Sequence, residues 1–294
     1  QFFHDWGAQE ALLRSEAGVV SAIAGMLKAP LDILADKLRG YVNLAEDLCA
    51  RPEKVRAACE ALMPHLAYFA RATADPRRQV PIGYWMHRSC VPFISFNHFH
   101  RIFWPTLKPI VEELWAAGHQ TLFYAEGNWD APLDAFAELP PRSIVYHVDM
   151  GDIFAVHRRL GDRFCLSGGI PNFVLWHDTP AAVLERCRKV IETVAADGGY
   201  ILDAGAIMHT DTQVENLRAM TEAAHTCGLA GEVESMPLRD PNAPAFTPDE
   251  YAGTPGMPPW SGRGTPPGQA IPWAMKRPEI GPLARGKEVV EGVW

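Results

Sequence analysis

Short apolar runs alternate with amphipathic segments from residue 18 to residue 228. Six of these runs have the length of a strand, are rich in Val, Ile, Phe or Tyr, and lack a regular alternation with polar residues. Such runs are typical of strands buried on both faces of a parallel sheet. We predict strands at Gly18–Gly25, Val80–Met86, Thr121–Glu126, Ser143–Asp149, Phe164–Gly169 and Gly199–Asp203.

The segments between these strands place apolar residues at helical spacing. Pro52, Pro105 and Pro180 stand where proline suits the first turn of a helix, because an N–H at that position has no intrahelical partner. Thr212 and Glu215 have the spacing of a capping box, which predicts the start of the last helix. Strand and helix repeated in this order predict a parallel α/β fold.

Two architectures suit such a chain, a doubly wound sheet and a closed (β/α)₈ barrel. No GxGxxG or GxxxxGK[ST] motif follows any predicted strand, so the nucleotide-binding signatures of open sheets are missing. We therefore favour the (β/α)₈ TIM-type barrel and assign residues 1–230 to it. Prolines recur throughout residues 231–294, which predicts a Pro-rich C-terminal arm docked through Trp260 and Trp273 on the barrel or on a neighbouring subunit.

Composition narrows the range of functions. The chain has 294 residues, of which 48% are hydrophobic and 21% charged, so it can bury a large core. Its net charge of −8 offers no general attraction to a phosphate backbone, which argues against nucleic acid as a partner. Apolar runs too short to span a bilayer predict no membrane insertion and a cytoplasmic protein. The six cysteines form no CxxC pair and are expected to be mostly small buried residues.

Candidate catalytic residues end or follow the predicted strands, where a barrel builds its pocket. Glu126 is the strongest candidate, because a carboxylate after an apolar strand is desolvated unless it meets a metal, a base or a substrate cation. His87 ends another strand. His147 and Asp149 stand two residues apart and would point to the same face of an extended strand. Each of these side chains also has an ordinary structural explanation as a hydrogen-bonded residue of the core.

The remaining candidates line the same predicted rim. Tyr124, Asn128, Trp129 and His209 are assigned to substrate binding, with the indole of Trp129 as a wall for a ligand. If a metal is bound, Glu126 would be a ligand together with His87 and His147. Without a metal, we expect Glu126 to share a substrate or a water with one of the three pocket histidines.

Several motifs resemble the uroporphyrinogen decarboxylase superfamily, in collinear order over roughly residues 18 to 228. They are Ala29-Pro30-Leu31-Asp32, Asp36-Lys37-Leu38-Arg39-Gly40, Asp47 to Val55, Phe103-Trp104-Pro105-Thr106-Leu107-Lys108, Ala125-Glu126-Gly127-Asn128, Gly168-Gly169-Ile170-Pro171, Thr179-Pro180 with Val183, Gly198-Gly199-Tyr200-Ile201-Leu202 and Glu215-Asn216-Leu217-Arg218-Ala219-Met220. The resemblance implies a (β/α)₈ barrel. The superfamily holds porphyrinogen decarboxylases and cobalamin-linked methyltransferases.

The resemblance aligns this chain with the third to the eighth barrel strand. It implies that the first two strands lie upstream of Gln1 or come from a second chain. The arginine-rich first-strand motif that binds substrate carboxylates in the decarboxylase is not in this chain. Methyltransferase members bind zinc through His-x-Cys at the fifth strand end and a later Cys, where this sequence has Tyr124, Glu126 and about Ala206. The absent thiolates favour a histidine and carboxylate site for an oxygen-bearing substrate.

The branch that the chain resembles contains methyltransferases and aromatic O-demethylases. The leading hypothesis is therefore a methyltransferase that moves a methyl group between a small methylated compound, such as a methyl ether, and a corrinoid carried by a partner protein. The first alternative is a carboxy-lyase of the uroporphyrinogen decarboxylase type. The second is a barrel without catalysis that serves as a binding or assembly subunit, and a homo-oligomer stays open under each hypothesis.

Overall fold

One parallel sheet organises the molecule, and its six strands follow one another in chain order. The computed structural model describes residues 2–17, 21–196 and 198–228. The strands are β1 (Met26–Leu27), β2 (Ile82–Met86), β3 (Thr121–Ala125), β4 (Ile144–Val148), β5 (Cys165–Ile170) and β6 (Tyr200–Ala204). Each strand pairs in parallel with the next. Helices alternate with the strands, so the predicted parallel α/β fold is confirmed and is that of part of a (β/α)₈ barrel.

Helices fill the connections. They are α1 (Phe2–Ala17), α2 (Pro30–Ile33), α3 (Tyr41–Ala50), α4 (Pro52–Thr73), α5 (Phe96–His98), α6 (Trp104–Ala116), α7 (Leu133–Phe136), α8 (Ile153–Leu160), α9 (Asn172–His177), α10 (Pro180–Val194) and α11 (Val214–Cys227). A wider π-type turn, Leu34–Leu38, continues α2, and a second, Phe99–Phe103, joins α5 to α6. No helix among the described residues is long and apolar enough to cross a membrane.

The three proline-led helix starts are confirmed. Pro52 and Pro180 each open their helix, and α6 begins one residue before Pro105. The Thr179 hydroxyl accepts a hydrogen bond from the Ala182 N–H and so satisfies one free donor of the first turn of α10.

Two local predictions are wrong. Residues 21–25 of the predicted strand Gly18–Gly25 form no strand, residues 18–20 lie outside the described residues, and β1 starts only at Met26. Gly25 has a φ of +77°, which interrupts an extended backbone just before β1. The predicted capping box is also absent, because α11 begins after Gln213 with no side-chain cap. Gln213 instead binds the carbonyls of α9 through its N–H and its side chain, and these tertiary contacts fix the entry to α11.

The two faces of the sheet differ in burial. The face under the helices is apolar and closed, with Tyr84, Met86 and Phe123 fully buried. On β3 and β6 every second residue belongs to the opposite, inner face of the sheet, and these residues are more exposed than their neighbours. The sequence predicts burial on both faces, so the two strands differ from that prediction. The predicted arm, residues 231–294 with Trp260 and Trp273, lies outside the described residues.

Candidate active site

The parallel register brings one row of side chains across the inner face of the sheet. Trp85 pairs with Tyr124, Tyr124 with His147, His147 with Ser167, and Ser167 with Ile201. Since side chains of a strand alternate between faces, paired residues share a face and a level. The row lies near the carboxyl ends of the strands, and the next residues along the chain on that face form the candidate active site.

Five charged or titratable residues form one group, here called the His87 cluster: Lys28, Asp36, His87, Arg88 and Glu126. His87 Nε2 lies 2.7 Å from Asp36 Oδ2, and its Nδ1 lies 3.7 Å from Glu126 Oε2. Lys28 Nζ is 2.8 Å from the same Asp36 oxygen, and Arg88 Nε is 3.3 Å from the other one. These His87 contacts are close approaches rather than hydrogen bonds, since neither ring nitrogen makes a well-aligned hydrogen bond with a described residue.

Burial and neighbouring charges set the protonation of this cluster. Burial lowers the pKa of His87 and the Lys28 charge lowers it further, while Asp36 and Glu126 oppose the shift. Burial acts to raise the pKa of Asp36, but the Lys28 bond and the nearby positive charges outweigh it and hold that pKa below its usual value. The imidazole is therefore mostly neutral at neutral pH beside an ionised Asp36. A neutral ring with carboxylates on both sides is suited to taking up and releasing a proton.

Trp85 fixes the position of Glu126. Its indole N–H donates a hydrogen bond of 2.6 Å to Glu126 Oε2, and the Lys28 ammonium lies 4.2 Å from the centre of the indole ring. The Glu126 side chain is 31% exposed, and its second oxygen has no partner among the described residues. One oxygen is thus held while the other faces outward and is free for a substrate or a water.

A second group, the His147 cluster, consists of Tyr124, His147, Ser167 and Asp203. The His147 side chain is only 2% exposed and stacks on the Tyr124 ring at 4.8 Å. Its Nδ1 is 3.2 Å from Ser167 Oγ and 3.6 Å from Asp203 Oδ2, while Nε2 is buried without a hydrogen-bond partner in the described part of the chain. Burial lowers the pKa of His147 against the opposing charges of its acidic neighbours, so this ring is also mostly neutral.

Asp149 ties two loops of the rim together. Its Oδ2 accepts a hydrogen bond from the Gly127 N–H and its Oδ1 accepts one from the Ala206 N–H. Tyr124 makes a similar link, because its hydroxyl accepts from the Ile207 N–H at 2.7 Å. The loops after β3 and β6 are therefore held to each other by side chains of β3 and of the β4 end.

The structure separates the other predicted site residues. The Trp129 ring is 1% exposed, packs against Phe103 and donates to the Glu126 carbonyl, so it lies in the core rather than on the rim. Asn128 is exposed and its side chain binds Asp130 in a local turn. His209 is exposed in the loop after β6 and, among the described residues, makes no hydrogen bond, ion pair or ring contact with either cluster.

Sequence reasoning missed Lys28, Asp36 and Arg88. Lys28 directly follows β1 and would have been a strand-end candidate had β1 been placed at Met26–Leu27. Asp32 and Asp36 are four residues apart, which puts them on one helical face, and both contact Arg88. That spacing was a usable signal.

Comparison with known families and structures gives two findings. The sequence matches the family "uroporphyrinogen decarboxylase (URO-D)" over residues 10–227, which is most of the chain. The chain belongs to the uroporphyrinogen decarboxylase family. It is also similar in structure to a methyltransferase from Methanosarcina mazei, with 16% sequence identity and a TM-score of 0.57 over 73% of this chain. The match spans 61% of that structure, and a search of curated proteins gives no match.

Within the uroporphyrinogen decarboxylase family, the zinc donor set that the methyltransferase members use does not fit this chain. The positions that the resemblance implies are Tyr124, Glu126 and about Ala206, of which only Glu126 is a good ligand. The thiol that lies nearest in sequence to the His87 cluster, Cys90, is buried, and burial raises its pKa to about 11. No group of three or more His, Cys, Asp or Glu side chains in the described ranges is arranged to hold a metal ion. The predicted ligands Glu126 and His87 are neighbours, but with His147 they do not form such a group.

Proposed function

We propose that this chain acts in methyl transfer between a small methyl ether and a corrinoid carried by a partner protein. Membership of the uroporphyrinogen decarboxylase family and the methyltransferase fold likeness support an enzyme of this superfamily. The observation that carries the proposal is the pairing of Glu126 with His87 at the ends of adjacent strands. The corrinoid, when bound, supplies the centre that accepts the methyl group.

The chain's own residues act on the oxygen. When the bond between the methyl carbon and the ether oxygen breaks, the oxygen leaves as an alkoxide or a phenolate and gains a proton. His87 takes up a proton on Nδ1 and passes it to the nearby Glu126 carboxylate, which delivers it to the leaving oxygen, so that the neutral imidazole and the carboxylate are both restored. Asp36 favours a proton on the opposite nitrogen of the imidazole, Nε2, and so keeps Nδ1 directed toward Glu126.

The His147 cluster and Asp149 support this chemistry. His147 and Tyr124 form a stacked floor beside Glu126, and Asp149 fixes the loops that border the opening. Such fixed surroundings orient a substrate at low entropic cost. Tyr124 is in edge contact with Trp85, so the two rings form an aromatic surface between the clusters.

The test is an absorbance assay for methyl-corrinoid formation. The full chain is mixed with a corrinoid protein and a panel of methyl ethers, and porphyrinogen decarboxylation is measured in parallel. Substrate-dependent methyl-corrinoid formation supports the proposal. Release of carbon dioxide from a porphyrinogen instead supports the carboxy-lyase alternative, and inactivity in both assays supports a binding subunit.

A further inference from the structure

A small pocket lies among the π-type turn Leu34–Leu38, α3 and α4. Its apolar walls include the buried side chains of Leu34, Leu44 and Val55. The pocket offers about 160 Å³ of free space. A single water molecule needs only about 15 Å³ of such space. A small organic molecule can therefore enter the pocket.

Three positive side chains line the same pocket: Arg39, Arg51 and Lys54. Arg39 Nε donates a hydrogen bond of 2.6 Å to Asp47 Oδ2, and Arg51 Nη2 lies 3.5 Å from Asp47 Oδ1. The Lys54 ammonium makes no hydrogen bond or ion pair with a described residue. The charge of Glu46 also acts on Arg39, but Glu46 makes no ion pair in the described part of the chain. A single carboxylate in contact thus faces three cations, which leaves positive charge at the pocket.

The arrangement of these cations suits a phosphate group. Arg39 follows the π-type turn, Arg51 precedes α4, and Lys54 lies in the first turn of α4, where the helix dipole adds to the attraction for an anion. The terminal nitrogens of Arg39 make no hydrogen bond with a described residue. A phosphate monoester carries close to two negative charges and three acceptor oxygens, so it can meet several donors at once. The apolar walls suit a short carbon chain attached to that phosphate.

The pocket is distinct from the candidate active site. Leu34 and Asp36 belong to the same turn, but Leu34 lines the pocket whereas Asp36 contacts His87. None of the residues that line the pocket belongs to the His87 cluster or to the His147 cluster. We propose that this pocket binds a small organic phosphate, with its phosphate on the three cations and its carbon chain against the apolar walls. The proposal does not depend on the reaction that the active site performs.

The experiment is a binding titration by calorimetry with the full chain. It is run at about pH 8, where the phosphate is a dianion, and at low ionic strength, because salt screens exposed charges. The probes are propyl phosphate, inorganic phosphate and butanoate. We expect propyl phosphate to bind at least ~10-fold more tightly than inorganic phosphate, because only its chain buries apolar surface. It should also bind at least ~10-fold more tightly than butanoate, which has a similar chain but a single charge.

Two variants test the two halves of the pocket. Ala58 lines the pocket, so Ala58→Leu should fill part of it and remove the preference for propyl phosphate over inorganic phosphate. Its matched control is Ala57→Leu, at the exposed neighbouring position of α4, which should keep that preference. Lys54→Gln should weaken the binding of both phosphates about 10-fold, because a charge-assisted hydrogen bond is lost. Its control is Lys189→Gln, in which an exposed lysine of α10 is replaced, and it should bind both as the wild type does.

Several results would overturn the site. They are the absence of propyl phosphate binding by the wild-type chain, equal affinities for the three probes, an unchanged preference in Ala58→Leu, and an unchanged affinity in Lys54→Gln. Equal losses in Ala57→Leu and Ala58→Leu would also place the probe outside the pocket. Melting temperatures show whether each variant is folded, and the comparison of probes in the wild type holds even if a variant is not.

Discussion

His87 and His147 follow the same sequence pattern, a histidine at the end of an apolar strand, yet their surroundings differ. Both ring nitrogens of His87 face carboxylates, and two cations lie within the same group. His147 is stacked on an aromatic ring, and its Nδ1 lies beside a hydroxyl and the Asp203 carboxylate, while no carboxylate of the described residues faces its Nε2. Burial lowers the pKa of both.

The difference teaches that burial alone does not make a histidine suitable for proton transfer. To relay a proton, an imidazole needs a group that exchanges protons beside each ring nitrogen. Of the two histidines, only His87 has a carboxylate beside both nitrogens. The buried His147 instead packs on Tyr124 and contacts Ser167, which indicates a structural role. Four changes test this division, from the largest expected effect on turnover to the smallest.

The largest effect is expected for Glu126→Gln. The amide oxygen can still accept the Trp85 hydrogen bond, so the shape of the site is kept while the charge and the transferable proton are lost. We expect a loss of at least ~10²-fold in methyl-corrinoid formation, the usual scale for a general acid or base. The melting temperature by circular dichroism should stay near that of the wild type.

The control for this variant is Glu222→Gln, an exposed glutamate of α11. It should change neither turnover nor melting temperature. Wild-type turnover in Glu126→Gln would remove Glu126 from the mechanism and direct attention to His147 and Asp149.

A smaller loss, on the order of 10-fold, is expected for Asp36→Asn, because Asp36 positions His87 rather than touching substrate. The negative charge of Asp36 raises the pKa of His87, so its removal lowers that pKa further. The alkaline limb of the plot of kcat against pH, where the ring loses the proton that it delivers, should therefore move to lower pH, and Asp36→Glu should restore part of the wild-type profile.

A purely structural role for Asp36 would lower activity without moving this limb. Asp47→Asn serves as the control, since Asp47 pairs with Arg39 and Arg51 away from His87. Its pH profile should coincide with that of the wild type. An alkaline limb that stays in place in Asp36→Asn would show that Asp36 does not act through His87.

His147→Phe should change turnover by no more than ~3-fold, within the range of a change that leaves the reacting groups in place. The phenyl ring keeps the stack on Tyr124 and removes the buried Nε2, which has no hydrogen-bond partner within the described ranges. His87→Phe, the matched variant, should lose at least ~10-fold because Asp36 and Glu126 are then no longer bridged. Equal losses in the two variants, measured as kcat at fixed pH, would remove the distinction between the clusters.

The sequence predicts the fold well because buried parallel strands and proline-led helices have local signatures. The strand ends at Glu126 and His87 follow from those signatures, since adjacent parallel strands end at one edge of the sheet. Because the sequence places β1 too early, Lys28 is not recognised as a residue that follows a strand. The Asp36–Arg88 contact joins residues 52 positions apart, and no local pattern encodes it.

Trp129 is a site residue that the sequence predicts wrongly, again because long-range packing decides where its side chain lies. Its position after β3 predicts a place on the rim, but the chain folds back so that the indole binds the Glu126 carbonyl. The ring then packs on Phe103 and Phe136, which come from two other elements. Exposure at a strand end depends on such long-range packing, whereas the existence of the strand depends mainly on local composition.

The smallest effect on turnover, less than ~2-fold, is expected for Asp32→Asn, which changes stability instead. Asn can still accept from the Arg88 N–H and the Ser89 hydroxyl, so the backbone next to His87 keeps its geometry.

Burial raises the pKa of Asp32 from 3.8 to about 7. Between these values the unfolded chain has released the proton that the folded chain retains, so wild-type stability falls as pH rises, by at most about 1.4 kcal/mol per pH unit. Above pH 7 Asp32 is ionised in both the folded and the unfolded chain, so its contribution no longer changes with pH.

The measurement is urea unfolding of both proteins at five pH values from 4.5 to 8.5. The free energy of unfolding of the variant, relative to that of the wild type, should rise up to about pH 7 and then stay constant. Other titrating groups cancel in this difference. A flat difference, or one that falls with rising pH, would mean that Asp32 is ionised throughout.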